Sequence, residues 1–393
     1  MKEVVIIQGA RTPFGRFGGG LKDVSAIQLG VAALKAALQR SQIDAAQVEQ
    51  IIMGNVVQSG PDPIYLARHI GLFSGMPVEA PALTVNRLCG SGLESVVQAA
   101  QLIQLGEAEI VAAGGSENMS QIPYVMPDAR WGYRMGHSQV IDLMTASLID
   151  GCTGQGMAIT AENLAEKYSI SREEQDAFSV RSQQLAGQAQ ASGRLAQEIV
   201  PVELKDKKQT VIEHDEHLRP ETTVEQLGKL KAAFKAGGSV TAGNASGIND
   251  GAAALIVTSA EKAAALGVKP LARIKSWASV GVPPEIMGFG PVPASRKALE
   301  KAGLNIDQID VVEINEAFAA QYLAVEKALE LDRSKVNLNG GAIALGHPLG
   351  ASGARVLLSA MYELHNRQLR YGLVSLCIGG GQGIAMVIEN SQL

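Results

Sequence analysis

Two cysteines stand in glycine-rich settings far apart in this chain. Cys89 lies in Asn86-Arg87-Leu88-Cys89-Gly90-Ser91-Gly92, and Cys377 leads into Ile378-Gly379-Gly380-Gly381-Gln382-Gly383. A third glycine-rich segment, residues 340–350, carries His347 before Pro348. The chain holds only three cysteines and six histidines, so these placements are informative. A thiol at a helix start meets unsatisfied N–H groups and the positive end of the helix dipole, which favour a nucleophilic thiolate at Cys89. Histidine is the usual base for such a thiol, and His347 is the candidate. The plainer readings are a small buried cysteine at a helix start and a buried histidine satisfied by hydrogen bonds. Cys377 ends a strand before successive glycines whose N–H groups can form an oxyanion hole, with Gly379 among them. An ordinary thiol pKa near 8.5 would let Cys377 exchange protons near neutrality. A structural cysteine in a glycine turn explains Cys377 equally well.

Asn315-Glu316-Ala317-Phe318 follows the apolar run Val311-Val312-Glu313-Ile314. The end of a parallel strand is where open α/β sheets place ligands, so Asn315 could orient a water or a substrate oxygen. Helix capping by Asn315 is the competing explanation. Cys152 has no glycine nest or nearby histidine and reads as structural. His214 and His217 lack a third ligand and the His-Glu-x-x-His order, so no metal site is expected. Neither a Walker loop nor a strand-borne Gly-x-Gly-x-x-Gly occurs, which leaves nucleotide-driven and hydride chemistry without support.

The elements that position these residues repeat. Helix, turn and strand from Ala37 to Met53 resemble those from Ala298 to Ile314, an offset of 261 residues. The same offset lays Asn86 over His347 and Cys89 over Gly350. Strands ending in glycines follow, 110–115 and 373–379, with an offset of 263, a drift of two residues that one loop can absorb. The expectation is an internal duplication: two α/β halves about a pseudo-two-fold axis, with apolar helices starting near Cys89 and Gly350 buried between sheets. Residues 118–247 have no counterpart and read as an inserted loop domain with helical patches at 160–167 and 171–191. The N-terminal half takes 1–117 and 248–269, the C-terminal half 270–393. Lys205, Lys207, Lys208, Arg219, Lys229, Lys231 and Lys235 give the insertion a basic run; a solvated face is the default reading, and steering of a phosphorylated substrate is the functional one.

At 393 residues the chain exceeds one ordinary core. A net charge of −5 argues against a nucleic-acid partner, and no apolar run is long enough for a membrane helix. Three widely spaced cysteines do not make a disulfide framework, so a reducing, cytoplasmic setting is expected. The terminal Ser391-Gln392-Leu393 lacks the basic middle residue of a peroxisomal tail.

Taken together, Asn-x-x-Cys-Gly-Ser-Gly, Asn-Glu-Ala-Phe, Gly-His-Pro-x-Gly and Cys-x-Gly-Gly-Gly-x-Gly, in this order and spacing, resemble the thiolases across essentially the whole chain. The resemblance implies a five-layer αβαβα fold and reversible acyl transfer between acyl-CoA thioesters. Cys89 would carry the acyl group and His347 would activate it. His347 and a water held by Asn315 would form one oxyanion hole, and the N–H groups of Cys89 and Gly379 the second. Cys377 would move the α-proton. The family's coenzyme A contacts map onto Arg219, Thr222 and Ser246. No permanent cofactor is implied; coenzyme A is substrate and product, and dimers or tetramers are expected, the insertion supplying tetramer contacts. Segments 54–59, 65–69 and 321–326 are most similar to the mitochondrial-type 3-ketoacyl-CoA thiolases. Short-chain biosynthetic members carry a histidine where this chain has Gly156. That leaves room beside the acyl chain, in a pocket lined by Met157, Met287 and Phe318. A decarboxylating ketoacyl-synthase-like enzyme and a non-catalytic acyl-CoA-binding protein are the alternatives.

Overall fold

The apolar β-branched runs become strands whose pairing exposes the duplication. The structure, a computed structural model, describes residues 2–60 and 63–393. The first half is built on β1 (Val4–Arg11), β2 (Gln50–Gly54), β3 (Ala82–Val85), β4 (Ile110–Asn118) and β5 (Asn249–Ser259). The second uses β6 (Ala272–Gly281), β7 (Val311–Ile314), β8 (Tyr371–Ile378) and β9 (Gln382–Asn390). Their order is β7-β8-β9-β6-β1-β5-β4-β2-β3. β2 runs parallel to β3 and β4, and β7 parallel to β8, while the remaining neighbours are antiparallel. The two halves' sheets are thus continuous at one edge, where Val5 pairs with Arg273 and Ile6 with Ala272.

Strand register corrects the apparent drift in the repeat. Gln50 pairs with Val111 and Val311 with Gly372, so both strands keep the offset of 261. Aligning glycines misled because they serve different ends. Gly114 and Gly115 lie inside β4, where a side chain would strike Ala253 and Gly350. Gly380 and Gly381 instead take positive φ of 77° and 84° in the turn after β8.

Helices fill both faces and the space between. α1 (Ala26–Ser41), started by a Ser25–Gln28 capping box, and α2 (Leu66–Phe73) cover the outer face of the first half with Leu29, Leu34 and Ile70. α3 (Ser91–Leu105) and α8 (Leu349–Arg367) form the central layer; Leu93, Val96, Leu357 and Met361 share one core with inward residues of both halves. The outer face of the second half carries α6 (Pro291–Ala302) and α7 (Ala319–Leu329). This is the expected five-layer αβαβα arrangement. The two central helices touch backbone to backbone. A Cβ on Gly92 would stand 2.7 Å from both Ala354 N and Gly350 O, and one on the duplicate Gly353 would strike Leu93 N.

Within the insertion, α4 (Met157–Lys167) and α5 (Arg172–Ala191) match the two helical patches, and Ser171 caps α5 in a capping box with Glu174. Their apolar residues Ala161, Leu164 and Phe178 join the core of the second half. A buried charge network ties the insertion to the first half. Arg11 donates to Asp215 at 2.7 and 2.9 Å and to Glu198 at 3.1 Å, all fully buried.

Candidate active site

Cys89 does not sit in the first helical turn: Gly90 caps α3 and Cys89 precedes it. Its loop is bound tightly. Leu88 has a left-handed φ of 47°, its N–H donates to Asn86 Oδ1 at 2.9 Å, and its carbonyl accepts Ser91 Oγ at 2.6 Å. By contrast, α8 begins three residues earlier in the repeat, so Gly350, the duplicate of Cys89, lies inside its first turn. The expected acidic thiolate is not the resting state. Burial pushes the Cys89 thiol up to about 11. N–H groups of Gly379 and of Cys89 itself face the sulfur and lower its pKa, the Glu117 charge raises it, and desolvation wins. A resting thiol of this kind requires a base.

Cys377 is fully buried at the end of β8, in a cluster with Met287 and Ala317 against which Met157 and Phe318 pack. Burial, then the nearby Cys89 charge, holds it far above the ordinary thiol range. It does not exchange protons near neutrality unaided, contrary to the expectation from an unperturbed thiol. The two sulfurs are close enough to influence each other electrostatically.

His347 follows Gly346, whose φ of 102° requires glycine. Its N–H donates to Asn249 Oδ1 at 3.0 Å, fixing the loop to the start of β5. The ring is buried, and desolvation with Arg355 lowers its pKa to about 3, so it rests neutral. Nε2 lies 3.5 Å from Asn315 Nδ2, and Nδ1 lies 2.6 Å from Ser352 Oγ. Asn315 N–H donates to Ser375 O, setting the end of β7 beside β8 two residues before Cys377. Phe318, not Asn315, is the cap of α7, which overturns the capping explanation. Asn315 Oδ1 is buried without a protein partner.

Two buried carboxylates that brace this site were not singled out from sequence. Glu117, at the end of β4, accepts the N–H groups of Val56, Val57 and Gly350 at 2.9–3.0 Å. Burial raises it to about 7. It clamps the first turn of α8 to the loop after β2. Glu316 accepts from Ser182 Oγ at 2.6 Å, Asn337 Nδ2 at 2.8 Å and Ile343 N at 3.2 Å, holding the loop that leads to His347. Its adjacency to Asn315 was the available signal; Glu117 offered none, because its partners are remote in sequence.

The remaining expected residues fall in three places. Met157, Met287 and Phe318 gather around Cys377, with Met157 Sδ against Gly379. A Cβ on Gly156 would meet only Leu148 O, at 3.9 Å, so that side is open. Ser246 N–H donates to Ala317 O at 3.0 Å, beside this cluster. Arg219 is exposed, its N–H on Gln183 Oε1 at 2.7 Å, and Thr222 Oγ1 donates to its carbonyl at 2.7 Å. The ring of His217 packs on Gly247, linking that segment to the loop of Ser246. Cys152 is exposed in a turn, so the packing role expected for it is not realised.

A half-buried cysteine, a neutral histidine, converging backbone donors and a buried second thiol make a candidate thiol-based transferase centre on a duplicated α/β scaffold. Residues 4–261 match the model of the thiolase N-terminal domain, and residues 268–390 that of the thiolase C-terminal domain. The acetyl-CoA acetyltransferase of Syntrophomonas wolfei is 54% identical over 394 residues, covering 99% of each chain. The human mitochondrial 3-ketoacyl-CoA thiolase is 50% identical over 393 residues, 100% of this chain and 99% of its own. A crystal structure of that human enzyme in complex with CoA superposes with a TM-score of 0.97, 50% identity, and coverage of 99% of this chain and 98% of that one. The chain belongs to the thiolase family.

Proposed function

We propose that this protein transfers acyl groups between CoA thioesters, cleaving 3-ketoacyl-CoA with CoA and condensing two acetyl-CoA in reverse. The observation that carries the reading is the convergence on Cys89: the Gly379 N–H faces its sulfur, and Cys377 lies within electrostatic reach of it. Cys89 is the nucleophile. Neutral His347 takes its proton. In condensation the sulfur attacks the thioester carbonyl of acetyl-CoA and CoA leaves; in thiolysis it attacks the 3-keto carbon and the acetyl-CoA enolate leaves, the shortened acyl group staying on Cys89 until CoA takes it. The N–H groups of Cys89 and Gly379 stabilise the oxyanion of the tetrahedral intermediates through which that acyl-enzyme forms and breaks down. His347, with a water on Asn315, serves the second thioester oxygen; the unpartnered Asn315 Oδ1 fits that role. Each donor of this kind contributes roughly 3–4 kcal/mol. Cys377 moves the α-proton, protonating the enolate in thiolysis and abstracting it in condensation.

Arg219, Thr222 and Ser246 are the proposed coenzyme A contacts, with Met157, Met287 and Phe318 around the acyl chain. The open space at Gly156 favours 3-ketoacyl chains beyond four carbons. Association into dimers or tetramers is supported by exposed apolar residues, Leu83 on the edge strand β3 and Trp131 and Met135 in the insertion. The free thiols suit a reducing cytoplasm, and no described helix is long and apolar enough to cross a membrane.

Two measurements test the reading. Incubation with acetyl-CoA labelled in the acetyl group should label the wild type at Cys89 and leave Cys89→Ala unlabelled; full labelling of the variant elsewhere removes the assignment. Thiolysis of 3-ketoacyl-CoAs from four to sixteen carbons should keep kcat/KM beyond C4. A steep fall there contradicts the open pocket.

A further inference from the structure

We propose that Ser352 is the positioning residue for His347: its hydroxyl fixes the imidazole as the Nδ1–H tautomer and so leaves the Nε2 lone pair free to act as base. The inference rests on the thiol-transfer reading, because it assigns how the base of that reaction is set.

The argument is one of proton counting. Ser352 lies in the first turn of α8, fully buried. Its hydroxyl donates to Pro348 O at 2.8 Å, the backward bond a serine makes within a helix. A hydroxyl has one proton, and this one is directed at a carbonyl, which can only accept. Toward His347 Nδ1, 2.6 Å away, Ser352 Oγ therefore offers a lone pair, and Nδ1 must carry the hydrogen. A neutral imidazole has one N–H, so Nε2 is bare. The other face agrees: Asn315 presents its Nδ2 donor to Nε2, though at 3.5 Å the contact is loose and leaves Nε2 available.

The chemical consequence differs from that of a carboxylate orienter. A carboxylate on Nδ1 would stabilise the imidazolium formed when Cys89 loses its proton. A hydroxyl orients the ring without adding charge, and Arg355 adds positive potential. The imidazolium is then short-lived and acidic. It returns its proton readily to a leaving thiolate, which a reaction run in both directions requires. The first helical turn makes the device simple. Pro348 O already accepts Ala351 N at 3.1 Å and Ser352 N at 3.0 Å, so removing the hydroxyl orphans nothing except His347 Nδ1.

The test combines solid-state 15N NMR of histidine-labelled protein with kinetics. The His347 signals, identified by their loss in His347→Asn, should show a pyrrole-like Nδ1 and a pyridine-like Nε2 in the wild type. A pyridine-like Nδ1 there overturns the proposal with no variant needed. Ser352→Ala should shift the ring toward the Nε2–H tautomer and lower kcat by roughly 10–100-fold, the range seen when the partner that orients a functional histidine is lost. Its KM for CoA should be little changed. Ser352→Thr, which keeps the hydroxyl, should retain the wild-type tautomer. An unaltered tautomer and rate in Ser352→Ala, alongside an inactive His347→Asn, sinks this inference alone. Full activity of His347→Asn sinks the thiol-transfer reading beneath it.

Discussion

Replacing Gly92 by alanine should separate the two central helices where both reactive loops emerge. The added Cβ would stand 2.7 Å from Ala354 N and from Gly350 O. Ordinary contact needs about 3.5 Å, so the helices must part by roughly 0.8 Å or bend. Overpacking of this kind costs about 1–3 kcal/mol in stability. The functional cost is larger, because Cys89 precedes α3 and His347 precedes α8, and the gap opens between them. A misplacement near 1 Å is worth on the order of 100-fold in rate. The expected phenotype is thus a folded enzyme a few degrees less stable, with kcat for acetoacetyl-CoA thiolysis reduced about 10–100-fold. KM for CoA should change little, because the proposed contacts Arg219, Thr222 and Ser246 lie on other segments. Steady-state kinetics with CoA varied, together with thermal unfolding monitored by circular dichroism, measures both. Gly353→Ala acts on the same contact from the other side, so the double variant should lose less than the product of the two single losses. A Gly92→Ala enzyme with wild-type kcat and unchanged Tm would refute the claim that backbone contact between the helices sets the site.

Two further outcomes follow from buried charge. His347 titrates near 3 in the folded protein against an ordinary 6.5, so the unfolded chain binds a proton that the native state refuses between these values. Stability from this group is present above pH 6.5 and is lost as pH falls, by about 2 kcal/mol at pH 5. His347→Gln should therefore lose less stability than wild type between pH 7 and pH 5 in urea denaturation. Equal losses contradict a neutral buried ring. The acid limb of kcat/KM that belongs to His347 should likewise lie well below pH 6.5. Asp215→Ala leaves Arg11 buried with Glu198 as its only remaining carboxylate and frees the Phe14 N–H that Asp215 accepts at 2.8 Å. A loss of about 3–5 kcal/mol is expected by denaturant titration, and a loss under 1 kcal/mol would show the network to be dispensable.

Much of the centre was legible because its chemistry demands particular residue types in local settings. Cys89, His347 and Cys377 each need glycines nearby, and a glycine cluster is visible without a fold. The repeat of 261 residues placed the halves, and its helices lie where the periodicity put them. What misled was reading local features as if isolated. The glycines of β4 and of the turn after β8 are not equivalents, and the paired registers show it. By sequence Cys89 reads as acidified by a helix start and Cys377 as an ordinary thiol, while desolvation, which depends on what packs around them, pushes both up.

The sequence by itself pointed to the candidate reactive groups, the repeated scaffold and the two helices within 157–191, because side-chain chemistry, hydrophobic period and capping residues are local properties. Only the tertiary structure decided that Ser352 sits on His347, that Glu117 clamps α8 and that Asn315 faces the imidazole instead of capping α7. It also decided that Cys89 waits as a thiol. Protonation states and proton positions are set by the groups that surround a side chain, and here those groups come from both halves of the chain.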